Sequence, residues 1–232
     1  MSDYLFTPPP VASLPVRGSD KRYPLRRIFC VGQNYSAHAR EMGFTADKEN
    51  PFFFTKSAQA FAASGSEVAY APGTENLHYE MEMVIMLGSE AFQVTSEQAL
   101  EAVYGYACGL DMTRRDLQKQ CRDKGRPWSL GKDFENAAVI SEVIPVSDCG
   151  HLSEGQIELR LNGEIKQSGD LSDMLNGPAE LISFLSRYYH LGPGDAIFAG
   201  TPEGVGPVLP GDRLEGKIEG LGTISLAIGD KA

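Results

Sequence analysis

A strand-rich α+β domain is the fold class this sequence predicts, and three observations carry it. Segments with strand character outnumber segments with helical periodicity. Few helices fall between consecutive strands, which argues against a doubly wound sheet. The chain has 232 residues and 42% hydrophobic content, enough to bury one large core. The expected organisation is an N-terminal arm over 1–24 followed by a single domain over 25–232 with one active site.

The elements follow in order. Residues 1–24 carry Pro8-Pro9-Pro10 and prolines at 15 and 24, which fix the backbone without offering donors to a sheet, so an arm wrapping the body is expected. Arg27 to Val31 is a short apolar run ending at Gly32 and reads as a buried strand and turn. Ser36 to Met42 consists of good helix formers, with Ser36 as the cap, and 43–47 reads as a loop. Pro51 to Lys56 is β-rich, and Glu80 to Leu87 becomes a strand of Val, Ile, Met and Leu. Apolar residues at Ala99, Leu100, Val103 and Tyr104 give Ser96 to Tyr106 a helical spacing. Gly105 to Leu110 then forms a strand ending at Asp111, and Thr113 to Lys124 a helix capped by Thr113 and stopped by Gly125. Further strands are expected at Val139–Val146, Ile157–Leu161, Ala196–Ala199 and Ile224–Ile228. Asn162-Gly163 marks a two-residue hairpin turn. A last helix spans Pro178 to Tyr189, with proline in its first turn and Gly192 beyond its end.

Composition excludes several function classes. A net charge of -10, from 31 acidic and 21 basic residues, repels a phosphate backbone, and no basic stripe interleaves with aromatics, so no nucleic-acid partner is expected. No apolar run approaches the roughly 18 residues that cross a bilayer, and the N-terminus has no signal-peptide pattern, so a cytoplasmic protein is expected. The four cysteines are widely spaced and read as reduced thiols.

Chemistry concentrates in four places. Glu80 and Glu82, two apart on a strand, point to one face while Met81 and Met83 pack behind. Their mutual repulsion is relieved by a cation, and Asp111, at the end of an apolar strand, supplies a third carboxylate. Three carboxylates suit Mg²⁺, Mn²⁺ or Ca²⁺ better than Zn²⁺. The same residues also fit a solvated edge strand with Asp111 as a helix cap. His38 and Glu41 share a helix face, where a carboxylate orients an imidazole and raises its basicity; a surface pair is the alternative. Lys132 lies in an apolar stretch near the only tryptophan, placed either to neutralise a developing enolate or to snorkel. The loop Gly200-Thr201-Pro202-Glu203-Gly204 combines free N–H groups with the Thr201 hydroxyl, so it either holds an anion or is simply a tight turn.

Together these residues carry a family likeness over Arg27 to the C-terminus. The motifs are Gly32-x-Asn34-Tyr35-x-x-His38-x-x-Glu41, Pro51 to Lys56, Asn76-x-x-x-Glu80-x-Glu82, Leu110-Asp111-x-x-x-Arg115-x-x-Gln118, Pro127-Trp128-x-x-x-Lys132 and Gly200-Thr201-Pro202-x-Gly204. In this order and spacing the sequence resembles the fumarylacetoacetate hydrolase superfamily, in its short acylpyruvate hydrolase branch. The resemblance implies a β-roll-like mixed sandwich, a homodimer, and Mg²⁺ (or Mn²⁺) on Glu80, Glu82 and Asp111. It also implies a lid segment near 34–50 bearing the His38–Glu41 pair, and substrate contacts from Arg115, Gln118, Lys132 and Thr201. Gln33 departs from the arginine or lysine of many relatives.

The implied activity is hydrolytic C–C cleavage of an acylpyruvate, fumarylpyruvate being favoured, in the breakdown of aromatic compounds. His38, held by Glu41, would activate water, and Lys132 would help stabilise the departing enolate. Oxaloacetate decarboxylation and hydroxymuconate-type isomerisation or decarboxylation use the same parts. A non-catalytic small-molecule binding protein is the reading from a different class.

Overall fold

The computed structural model describes residues 3–43, 45 and 47–231; within the expected loop at 43–47, Phe44 and Ala46 lie outside the described residues. The chain opens with a hairpin of β1 (Ser13–Val16) and β2 (Ser19–Pro24), turning at Gly18 with φ 69°. This corrects the expectation of an arm without sheet. A two-stranded ribbon is all edge, and there a proline forfeits no central ladder bond. Leu14, Val16 and Tyr23 are buried, so the hairpin is stitched to the body rather than draped over it.

β3 (Arg27–Gly32) is a buried strand of the large sheet, and α1 (Ser36–Glu41) follows it. The N-cap is Tyr35, not Ser36: Tyr35 keeps an extended backbone and Ser36 is already helical. Next come β4 (Phe52–Lys56), β5 (Phe61–Ala63), β6 (Ser66–Tyr70), β7 (Leu77–Tyr79) and β8 (Met81–Leu87). The helical reading of Ser96 to Tyr106 holds only for α2 (Ser96–Ala99), capped by a reciprocal Thr95–Gln98 box, and a 3-10 turn to Ala102. From Val103 the chain is strand β9 (Val103–Asp111), because pairing with β8 prevails over local periodicity.

Thr113 does not cap a helix. It belongs to β10 (Thr113–Arg114), and α3 (Arg115–Asp123) begins two residues later. Its hydroxyl is already committed, donating to the Asp111 carbonyl at 3.2 Å and accepting from Lys132 at 2.7 Å. After α4 (Ser129–Lys132), the strand expected over Val139–Val146 is two pieces, β11 (Ala138–Ile140) and β12 (Ile144–Pro145), and Val146 opens α5 (Val146–Cys149). The break falls where the Ser141 hydroxyl accepts from Cys108 N and displaces a ladder carbonyl.

β13 (Gln156–Leu161) and β14 (Glu164–Asp170) form the predicted hairpin, with Asn162 and Gly163 both at positive φ, 52° and 84°. α6 (Pro178–Ser186) has proline in its first turn and ends three residues short of Tyr189. β15 (Asp195–Phe198), β16 (Gly206–Pro207), β17 (Arg213–Ile218) and β18 (Gly222–Lys231) complete the chain.

Two large sheets result. One runs β4-β3-β15-β8-β9-β11-β5 with β12 attached to β9; the other runs β14-β13-β17-β18-β6. Between them lies the main core, where Met81, Met83 and Ile85 from β8 meet Leu159, Leu214 and Ile224. Val84 and Met86, on the opposite face of β8, pack with the N-terminal hairpin. The strand-rich mixed α+β class is therefore the observed one. Among the described residues no helix is long and apolar enough to cross a membrane.

Candidate active site

The alternation of β8 places Glu82 on the face of Val84 and Met86, and Glu80 immediately before the strand follows the same parity. β9 runs antiparallel to β8 with Leu110 opposite Met81, and Asp111 N donates to the Glu80 carbonyl at 2.9 Å. Pairing thus delivers three carboxylates to one spot, their ligand oxygens within 4.8 Å of one another. All are buried, at 5%, 2% and 0% exposure for Glu80, Glu82 and Asp111, which eliminates the solvated edge strand.

Three cationic side chains meet this cluster. Lys132 Nζ donates to Glu80 Oε2 and Asp111 Oδ2, each at 2.8 Å. Arg115 Nη2 donates to Glu80 Oε1 at 2.5 Å, and Lys56 Nζ pairs with Asp111 Oδ1 at 2.8 Å. Burial pushes the Glu80 carboxyl upward, but Lys132 and then Arg115 outweigh it and hold Glu80 well below the usual carboxylate range. Among the described residues Glu82 has no such partner; it accepts from the Gly200 N–H at 2.6 Å. Burial, then the charges of Asp111 and Glu80, push its carboxyl well above the usual range.

Three buried carboxylates and three cationic groups could be a self-neutralised structural cluster. Two observations favour an ion instead. Glu82 is reached by none of these cations, and among the described residues no hydrogen-bond donor is aimed at the buried Asp111 Oδ1, since Lys56 approaches off the hydrogen-bonding direction. Hard, closely spaced oxygens of this kind fit Mg²⁺ or Mn²⁺.

Across a cavity of about 260 Å³ from the carboxylates stands α1. His38 Nδ1 lies 3.1 Å from Glu41 Oε2, and Glu41 Oε1 accepts from Gly204 N at 3.1 Å, so one carboxylate spans the helix and the 200–206 loop. Asn34 braces the start of this segment, its amide donating to the Ala199 and Asn176 carbonyls at 2.8 Å. Arg115 Nη1 donates to Gln118 Oε1 at 2.6 Å, which fixes both side chains on α3. Thr201 is held by Gln167 Nε2 at 2.8 Å, while Gln167 Oε1 accepts from Met81 N at 3.0 Å.

His38, Glu41, Glu80, Glu82, Arg115, Gln118, Lys132 and Thr201 all line the cavity, and Asp111 lies directly behind them. Nine residues chosen from five separate stretches of sequence thus converge. Lys56 and Gln167 belong to the same network and were not singled out. Lys56 closes a quoted motif, an available signal; Gln167, on β14, has none, since its burial appears only once Thr201 folds over it. Gln33 also lines the cavity, at φ 60°.

A water-accessible cavity so dense in buried acid–base groups marks the protein as an enzyme. The chain belongs to the fumarylacetoacetate hydrolase family: residues 27–228 match the family described as fumarylacetoacetate (FAA) hydrolase C-terminal. A fumarylpyruvate hydrolase of Ralstonia sp is 51% identical over 190 residues, covering 81% of this chain and 98% of the relative. The mitochondrial oxaloacetate tautomerase FAHD1 of Homo sapiens is 37% identical, over 88% of this chain and 91% of its own length. The crystal structure of fumarylpyruvate hydrolase from Pseudomonas aeruginosa in complex with Mn²⁺ and pyruvate superposes with a TM-score of 0.96 at 48% identity, covering 99% of this chain and 100% of that one. The chain is a hydrolase acting on carbon–carbon bonds.

Proposed function

We propose that this enzyme cleaves the C–C bond of an acylpyruvate with the help of a divalent cation, fumarylpyruvate being the favoured substrate, and yields fumarate and pyruvate in the breakdown of aromatic compounds. The observation that carries the reading is the His38–Glu41 pair facing the buried carboxylate triad across one cavity. The 51% identical Ralstonia relative and the pyruvate-bound Pseudomonas neighbour support the substrate class.

Glu80, Glu82 and Asp111 would hold Mg²⁺ or Mn²⁺, which when bound supplies Lewis-acid polarisation of a 2-oxo acid. Arg115, Gln118 and Thr201 orient the oxygens of the pyruvyl end. With Nδ1 tied to Glu41, His38 has Nε2 available to take a proton from water. The water oxygen adds to the distal acyl carbonyl, and the bond between that carbon and C3 of the pyruvyl part breaks with its electron pair on the pyruvyl side. Lys132 stabilises the resulting enolate, and the proton held by His38 returns to C3 to give the methyl of pyruvate. The segment 34–50, carrying α1, acts as the lid.

A second reading, chemistry on oxaloacetate, is favoured by relatives named oxaloacetate tautomerases. It requires no attacking water. The test is turnover of fumarylpyruvate and of oxaloacetate in ¹⁸O-labelled water: the proposal expects equal yields of fumarate and pyruvate, with one label in the new carboxylate of fumarate. Turnover of oxaloacetate alone would replace it by the second reading.

A further inference from the structure

α3 carries more charge into the cavity than the reaction above uses. Arg115, Gln118, Lys119 and Arg122 recur at the three- and four-residue spacing of one helix face, and all four line the cavity. Arg115 anchors the inner end through Glu80. Seven residues further, at about 1.5 Å each, Arg122 is displaced by roughly 10 Å along the axis. The acids lining the cavity are Glu41, Glu80 and Glu82; Glu80 is matched by Lys132 and Arg115, and Glu41 by His38 and Gly204. Lys119 is exposed and Arg122 half-buried, its Nε paired at 3.0 Å with the adjacent Asp123, a surface contact of the kind a bound carboxylate competes with. Two cations facing an open cavity run against a chain of net charge -10, whose general field repels anions. Phe54 and Trp128, their rings 5.8 Å apart, form an aromatic part of the same wall.

We propose that Lys119 and Arg122 recognise a carboxylate at the far end of the acyl group, so that the enzyme selects acylpyruvates whose acyl part is itself an acid. The inference rests on the acylpyruvate reading and sharpens it. An extended seven-carbon diacid, with six bonds of about 1.5 Å in a zigzag, spans about 8 Å between its terminal carbons, and its carboxylate oxygens reach about 1 Å further at each end, the scale of the displacement between Arg115 and Arg122. Its unsaturated middle then lies along Phe54 and Trp128, and its ends meet opposite ends of one helix face.

The experiment compares kcat/KM for fumarylpyruvate and for acetylpyruvate, which lacks the distal carboxylate, in the wild type, Lys119→Met, Arg122→Met, the double variant and Arg122→Lys. The quantity read is the ratio of the two values. It is expected to fall about tenfold or more in Arg122→Met and further in the double variant, the scale of a lost hydrogen bond to a charged group, with Arg122→Lys recovering most of the preference. A ratio unchanged in the double variant, or an equal loss on both substrates, overturns the inference. A wild type that cleaves neither substrate overturns the acylpyruvate reading itself, whereas cleavage of both with a preference blind to these substitutions removes only the distal site.

Discussion

Replacing Glu41 by glutamine is the most discriminating single change at the proposed base. Its carboxylate accepts at both oxygens, from the Gly204 N–H at 3.1 Å and on the His38 Nδ1 side at 3.1 Å. An amide offers one acceptor oxygen. If that oxygen keeps the Gly204 contact, the NH₂ faces Nδ1 and favours the tautomer with its proton on Nε2, which cannot accept one from water. If it turns to His38, the NH₂ opposes the Gly204 N–H and α1 loses its tie to the loop. A positioned general base contributes about 10²–10⁴ in rate, so Glu41→Gln should lower kcat for fumarylpyruvate by about 10² or more. Glu41 is about one-third exposed, so stability should fall by only about 1 kcal/mol, a melting shift below about 4 °C. Pyruvate release followed with a coupled dehydrogenase gives the first number and thermal unfolding the second. A kcat within roughly twofold of wild type, far inside the range a general base supplies, would refute the assignment of His38 and Glu41.

Lys132→Met should cost about 3–5 kcal/mol in the metal-free protein, because Glu80 and Asp111 lose their shared buried cation. Thermal unfolding with and without Mn²⁺ checks it, and the ion should restore part of the loss. Glu82 governs a pH dependence of opposite sign to Glu80. Its folded carboxyl is raised, so as pH climbs past about 4.3 the unfolded chain ionises first and stability declines until the folded group ionises too. Glu80 is held low, so its stabilisation is present above about 4.3 and is lost on acidification. Melting temperature against pH in chelator should therefore fall less steeply toward neutrality in Glu82→Gln than in wild type; identical slopes would contradict the ascribed burial of that charge.

What the sequence disclosed depended on how local the cause was. The Asn162-Gly163 turn, the start of β3 at Arg27 and the proline opening of α6 are decided by a few residues and were legible. Misread boundaries trace to partners far along the chain: Val103 and Tyr104 join β9 because β8 is there to pair with, and Thr113 is drawn from capping by Lys132 and the Asp111 carbonyl. β17 was overlooked although Arg213 to Ile218 alternates exposed and buried side chains strictly, a period-two signal that its glycine at 216 obscured. That glycine is needed, since a Cβ there would lie 2.5 Å from Met81 Sδ, behind the carboxylate triad. For the site, the residues singled out, Arg115 and Gln118 through the family resemblance alone, meet at one cavity, but the ion pairs among them were not legible. Nothing local indicates that Lys132 bridges Glu80 and Asp111 while Glu82 pairs with none of Lys132, Arg115 and Lys56.

That asymmetry points to the most direct test of the account. Protein stripped with a chelator and verified metal-free should release no pyruvate from fumarylpyruvate. Titration with Mn²⁺ should restore activity in step with binding, saturating at one ion per chain, and Glu82→Gln should abolish both together. Undiminished pyruvate release from the metal-free protein would contradict it.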